Sequence, residues 1–482
     1  MPINVKTSAI NIRTDDGYDN VDALFAGDIS NVVVPWLNSH PPYGYATPEM
    51  FGAIGDGVND DTAALQDCID SNDIIVLTNT YKIQSTLTLH SNLYINGCGK
   101  GKIVKDTAVT NYYAALSYYG DSEIENVVID GLNIIGVQYW TGETTSGERN
   151  DIGIRLINSN NIRVLNCNIE ECGAIAISIS GKNVVIDNNV ILYTGEFITT
   201  EDHPNYNFGI GYGGEHFKVT RNTISGVIQG IAPGLTNKHC IIAENDISTN
   251  GQHGIYMASA EDVEVVNNVI HDCSLCGIKI QIGNPSLEVF EHIVVADNII
   301  SRCHDHGIEV VDLIALNILS DVMVTGNFIC ETNSAIHVTR TNSVMISNNI
   351  IKNVTAYGIR ISNTSNIIVE SNIFVSPNAH AIHFADGTKS MNKNISVKNN
   401  SIAYTGTALW LGITVYTGEN IFIDGNELTC DASGNTKTGI KINNTSDSIE
   451  NMYISSNFAK GFATNYSVNY PDGVSLENNH FI

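Results

Sequence analysis

Residues 304–312 read HDHGIEVVD, placing two histidines and three carboxylates in nine positions around a Gly-Ile pair. Imidazole next to carboxylate suits proton transfer near neutral pH, and two nearby carboxyls suit glycosidic hydrolysis. Glu309, Asp312 and their Asn/Asp neighbours also offer the hard oxygens that calcium prefers, although no calcium-loop spacing accompanies them. Calcium is therefore a minor possibility, and neither a metal site nor another cofactor is assigned. The ten cysteines lack paired zinc spacings, and CSLC at 273–276 is a lone C-x-x-C. Which of these side chains face solvent depends on the element that carries them, and Gly-Ile recurs.

From residue 124 onward the chain repeats V-x-x-N-x-I, a polar turn, G-I-x-I, a second turn and another β-branched run, as in VEVVNNVIHDCSLCGIKIQ and VMISNNIIKNVTAYGIRIS. Aligned, the copies put asparagine in one column at 189, 222, 245, 268, 298, 327, 349, 372, 400, 426, 457 and 479. The shortest steps are 22 and 23 residues. That period is too short for paired helices, and the strands alternate with period two. It predicts an all-β chain, a parallel β-helix of about thirteen coils stacked about 4.8 Å apart. The asparagines are then a structural ladder. Five positions on, Cys172, Cys273 and Cys303 share a column of small residues and read as core packing. Longer steps mark insertions at 196–207, 283–292 and in LIALNILSD, expected to wall one edge of a groove.

In G-I-x-I the isoleucines point inward and x outward. Successive coils give Arg155, Ser178, Gly211, Ala232, Tyr256, Lys279, Glu309, His337, Arg360, His383, Trp410 and Lys441. The residue before the glycine forms a second column: Gln229, His253, Cys276, His306, Ser334, Tyr357 and His380. Together these collect five of the fourteen histidines on one strip centred on Lys279, Glu309 and His337, with His304 and Asp305 in the turn before it.

Acids outnumber bases 51 to 24, for a formal net charge of -27. Such a surface repels nucleic acid and anionic membranes, so an anionic ligand needs a local basic patch. No stretch has signal-peptide character, and none reaches the roughly 18 apolar residues that span a bilayer, so no membrane insertion is expected.

Ahead of the repeat stands TPEMFGAIGDGVNDDTAALQDCID, residues 47–70. Its Gly-Asp-Gly turn leads to Asn59 or Asp60 as an N-cap and to a short helix burying Ala63, Ala64, Leu65 and Ile69, a plug for the first coil. The F-G-A-x-G-D-G-x-x-D-D-T-x-A-L-Q run resembles the amino-terminal motif of the pectate-lyase-like β-helix superfamily, in the form found on bacteriophage tailspikes and polysaccharide depolymerases. The resemblance covers about residues 47–482. It divides the chain into a head or attachment segment (1–46), the cap helix and first coils (47–123) and the main helix (124–482). It implies a right-handed fold, a polysaccharide substrate, commonly a homotrimer, attachment to a virion baseplate through the N-terminus, and action at the bacterial surface from a virion tail. The sequence ends three residues beyond Asn479, so a separate trimerisation module is not expected.

The superfamily includes lyases, hydrolases, epimerases and plain binders, so mechanism rests on the strip. For β-elimination on a uronic-acid polymer, Lys279 or His337 is the base, Tyr256 or His306 the donor, and Arg360 or Arg340 the carboxylate clamp. For hydrolysis, Glu309 pairs with Asp312 or Asp305 and stays ionised between Lys279 and His337. QHG at 252–254 and DHG at 305–307 resemble the polygalacturonase histidine motif, without that family's N-T-D element. His253, Tyr357, His383 and Trp410 complete the expected sugar-binding surface. Elimination is favoured because the strip is richer in cations, His and Tyr than in carboxylates. A non-catalytic glycan-binding spike is the alternative of a different class.

Overall fold

The computed structural model describes residues 44–108, 113–137, 151–192, 208–248, 251–258, 260–282, 290–313, 319–377, 380–385, 392–405, 411–431, 438–443, 449–469 and 474–482. The 1–46 head falls almost wholly outside them, as do Trp410, the 196–207 insertion and most of the other two insertions.

Every strand pairing among the described residues is parallel, and the chain forms a β-solenoid of about thirteen turns. A typical coil contributes three segments, such as Val269–His271, Ile278–Ile282 and Phe290–Ala296. Each stacks on its equivalents: Val269 pairs with Ile299, Ile278 with Ile308, and Ile293 with Val322. Inward residues of all three segments, among them Ile270, Ile278, Ile280, Ile293 and Val295, are fully buried. Each such aliphatic side chain contributes about 1.5–3 kcal/mol by leaving water. Cys172, Cys273 and Cys303 lie buried in this core.

The asparagine column forms as its periodicity predicts. Each Nδ2 from Asn189 to Asn457 donates to the next ladder Oδ1 at 2.9–3.0 Å. The same Oδ1 also accepts from the preceding asparagine's backbone N–H, as Asn298 does from Asn268 at 3.0 Å. The second Nδ2 hydrogen serves a carbonyl near the end of a strand, Val265 O at 2.9 Å for Asn298. Residues just before the ladder, including Asn188, Asn267 and Asn348, sit in the left-handed region, which asparagine tolerates better than most side chains.

The cap helix spans Thr62–Ser71 and buries Leu65, Cys68 and Ile69, while Ala63 is exposed, contrary to the expected face. Its N-cap is Asp61 rather than Asn59 or Asp60. The two aspartates divide the work. Asp60 Oδ1 accepts from Thr62 N at 3.1 Å, and the buried Asp61 carboxylate accepts from Ile54 N and Gly55 N at 2.7 and 3.1 Å, tying the glycine turn to the helix. No helix among the described residues is long and apolar enough to cross a membrane.

Candidate functional site

Register confirms the outward column from Arg155 to His383 but corrects its continuation. His383 pairs with Thr414, and Thr414 with Lys441, so Thr414 holds the position given above to Trp410. The signal was present as GITV at 412–415, one turn of sequence after the misleading ALWL.

The two columns meet because a small residue separates them. A Cβ on Gly307 would lie 2.5 Å from Ile329 Cγ2 and 2.7 Å from Ala335 O, so the backbone there packs tightly against the core and the next coil. Ala335 and Ala381 occupy the same column, in keeping with a position that takes only small residues. His306, at the start of strand His306–Asp312, lies beside Glu309 and the neighbouring coil's His337.

Four groups converge at the centre of the strip. Glu309 Oε2 lies 2.8 Å from Lys279 Nζ, and Oε1 lies 3.5 Å from His337 Nδ1 and 3.8 Å from His306 Nε2. The two imidazoles share a contact of 3.2 Å between His337 Nδ1 and His306 Nε2. His337 Nε2 lies 3.2 Å from Thr339 Oγ1, which itself hydrogen-bonds Ser362. Asp305 Oδ1, in the preceding turn, is 3.5 Å from His306 Nε2. The Cys276 thiol reaches Glu309 Oε2 at 3.6 Å.

Burial pushes the Glu309 pKa up, but hydrogen bonds from His337 and Lys279 and the lysine's charge outweigh it and hold the carboxyl well below the usual range. Burial pulls Lys279 down, and the bond to Glu309 more than reverses this. Lys279 therefore stays protonated and is not a base. Burial, reinforced by His337, keeps His306 neutral. Burial raises Tyr256, which stays protonated; Gln281 Nε2 donates to its hydroxyl at 3.2 Å, leaving the hydroxyl hydrogen to donate elsewhere.

The remaining expected residues divide. Arg360 lies over the Tyr357 ring, 5.2 Å from Cζ to centroid, and among the described residues no carboxylate pairs with it. Arg340 lies beyond the strand in a left-handed turn and reaches Leu313 O at 3.4 Å, so it borders the strip. Asp312 is corrected: three residues after Glu309 it falls on the inward parity and is fully buried, beyond reach of substrate. His253 is 6% exposed, accepts from Cys276 N at 3.3 Å and stacks on Tyr256, so it orients that ring; burial, then Lys279, lowers its pKa to about 4. His383 is likewise corrected to a packing role, buried among Tyr357, His380 and Tyr416. Burial lowers His380 to about 4 and His383 to about 3. Thr339, Ser362 and Gln281 were not anticipated. They stand two residues along from the x column, where Thr, Ser and Gln look like any solvated strand position.

Known proteins bear on the fold more than on the chemistry. The family model described as right handed beta helix region matches residues 153–329, 294–428 and 334–482. A capsule-specific depolymerase of Klebsiella phage K64-1 is 41% identical over 59 residues, 12% of this chain and 6% of that protein's length. A mutant tailspike protein of E. coli bacteriophage HK620 superposes with a TM-score of 0.55 at 12% identity, over 90% of this chain and 80% of that one. The exopolygalacturonase of Thermotoga maritima does so with a TM-score of 0.51 at 14% identity, over 70% of this chain and 91% of that one. The structural matches speak to fold alone. With the family matches together spanning residues 153–482 and the parallel coils seen throughout, the chain belongs to the right-handed β-helix family.

Proposed function

We propose that this chain is a tailspike-type polysaccharide depolymerase, binding an extracellular or capsular polysaccharide along the strip and cleaving it by β-elimination next to a uronate. The observation that carries the reading is the paired imidazoles of His306 and His337 set against the Glu309 carboxylate. A hydrogen bond between His306 Nε2 and His337 Nδ1 requires one of the two nitrogens to accept. A basic lone pair therefore sits beside Glu309, whose negative charge stabilises the imidazolium formed when that pair takes a proton. In the reaction, the imidazole pair removes the proton on the carbon next to the uronate carboxylate. The electron pair forms the new C=C bond, the glycosidic C–O bond breaks, and the Tyr256 hydroxyl protonates the leaving oxygen. Arg360 neutralises the substrate carboxylate. Lys279 keeps Glu309 ionised and in place.

The family match, the depolymerase relative and the strip's chemistry support this reading; the depolymerase match is short, so substrate and virion location stay within the proposal, as does a homotrimer. Hydrolysis is the second reading, favoured by one observation. Asp305 and Glu309 both approach His306 Nε2, which bounds their separation at about 7 Å, compatible with a two-carboxylate mechanism. Incubation with a panel of acidic and neutral bacterial polysaccharides tests both, following ultraviolet absorbance of unsaturated uronate and reducing ends in the same tubes. Both signals rise under elimination. Reducing ends alone would move the mechanism to Glu309 and Asp305, and binding without either signal would leave a glycan-holding spike.

A further inference from the structure

His306 Nε2, Glu309 Oε1 and His337 Nδ1 form a triangle with sides of 3.2, 3.5 and 3.8 Å. The point equidistant from all three atoms lies about 2.0 Å from each, which matches Zn–N and Zn–O bond lengths of about 2.0–2.2 Å. Calcium needs about 2.3–2.6 Å and six to eight oxygens, so it suits neither the size nor the two imidazoles. The donor set is two histidines and one carboxylate with the remaining positions open, a pattern that suits divalent transition metals.

The surroundings support ligation. Lys279 engages Oε2 and leaves Oε1 turned towards the imidazoles. Thr339 Oγ1, 3.2 Å from His337 Nε2, can accept that nitrogen's hydrogen in the tautomer that gives up the Nδ1–H bond to Glu309 and frees the Nδ1 lone pair for a metal. His306 turns its Nδ1 into the protein, where it is buried without a polar partner, so His337 is the better-anchored ligand. We propose that His306, Glu309 and His337 bind one divalent transition-metal ion of the Zn2+ class per chain, with Thr339 as the positioning residue for His337.

The ion takes the same lone pairs that the proposed elimination gives to its base. Binding is therefore measured without polysaccharide, and its failure leaves that reading standing. Calorimetric titration of the chelator-treated full chain with ZnCl2 should show one tight site. His337→Ala and Glu309→Gln should each weaken it about 100-fold or more, and Thr339→Val about 10-fold. Co2+ should give the visible absorption of a low-coordinate nitrogen and oxygen site, lost in His306→Ala. The group Glu291, His292 and Asp321, with His292 and Asp321 exposed, is the other described cluster able to hold an ion, so His292→Ala serves as the control and should change nothing. Melting curves identify any variant that fails to fold, and the Thr339→Val result then stands by itself. Absence of a Zn2+ site in the wild type, equal affinity in folded His337→Ala, or loss of the site in His292→Ala would overturn the proposal.

Discussion

Two columns run the length of this solenoid with one period and opposite characters. The ladder from Asn189 to Asn479 repeats one residue in every coil, and its buried members have each amide group paired. The x column changes at every coil, from Tyr256 to Lys279, Glu309, His337 and Arg360, and leaves the buried Arg360 Nε without a partner, as the column beside it leaves His306 Nδ1. Where a repeat preserves one residue, stacking satisfies it. Where it varies the residue, the fold does not need the variation, and under the proposed function substrate is the remaining partner.

The largest expected effect breaks the comparison on the chemical side. Tyr256→Phe removes only the hydroxyl that the elimination uses, and turnover should fall by about 100-fold or more, with the melting temperature nearly unchanged. Next in size is the structural side. Asn298→Ala strips Asn268 of its acceptor and Val265 O of a donor, and should cost about 3 kcal/mol in thermal unfolding while leaving the activity of folded molecules intact. An exposed asparagine stack sharpens the contrast. Asn366 bonds Asn342 at 2.6 Å and accepts from Asn394 at 2.9 Å, but water replaces both partners, so Asn366→Gly should cost only about 0.5 kcal/mol in the same assay.

Acid should expose a smaller difference. His380 and His383 titrate near 6.5 when unfolded, but at about 4 and about 3 in the folded chain. Between those values the unfolded state binds more protons, so their contribution is present above pH 6.5 and is lost as pH falls towards 4 and 3. Melting temperatures measured down this range should decline, and His383→Phe should flatten the decline. An unchanged slope would mean that the ring is not held neutral by burial.

The ladder and the coil were legible because a buried position repeated every 22 or 23 residues tolerates one solution. The strip was legible in part. Lys279, Glu309, His337 and Arg360 stand on the column that G-I-x-I marks, and His306 joins them from the column before Gly307. Parity misplaced Asp312, since acidity drew notice where an inward position should have. His253 and His383 occupy the right columns, yet neighbouring rings cover them, and single-strand alternation does not register cover from an adjacent coil. The cap helix was recognised, but its N-cap fell one residue later, because Asp61 serves the glycine turn as well as the helix start.

The central claim is that the strip cleaves rather than only holds. Its most direct test is turnover and affinity measured together for one cleaved polysaccharide in wild type and Glu309→Gln. Turnover should fall by about 100-fold or more with affinity within a few-fold, since the carboxylate's charge matters most when the imidazole pair takes the proton. Turnover unchanged, or affinity falling in proportion to turnover, would contradict it.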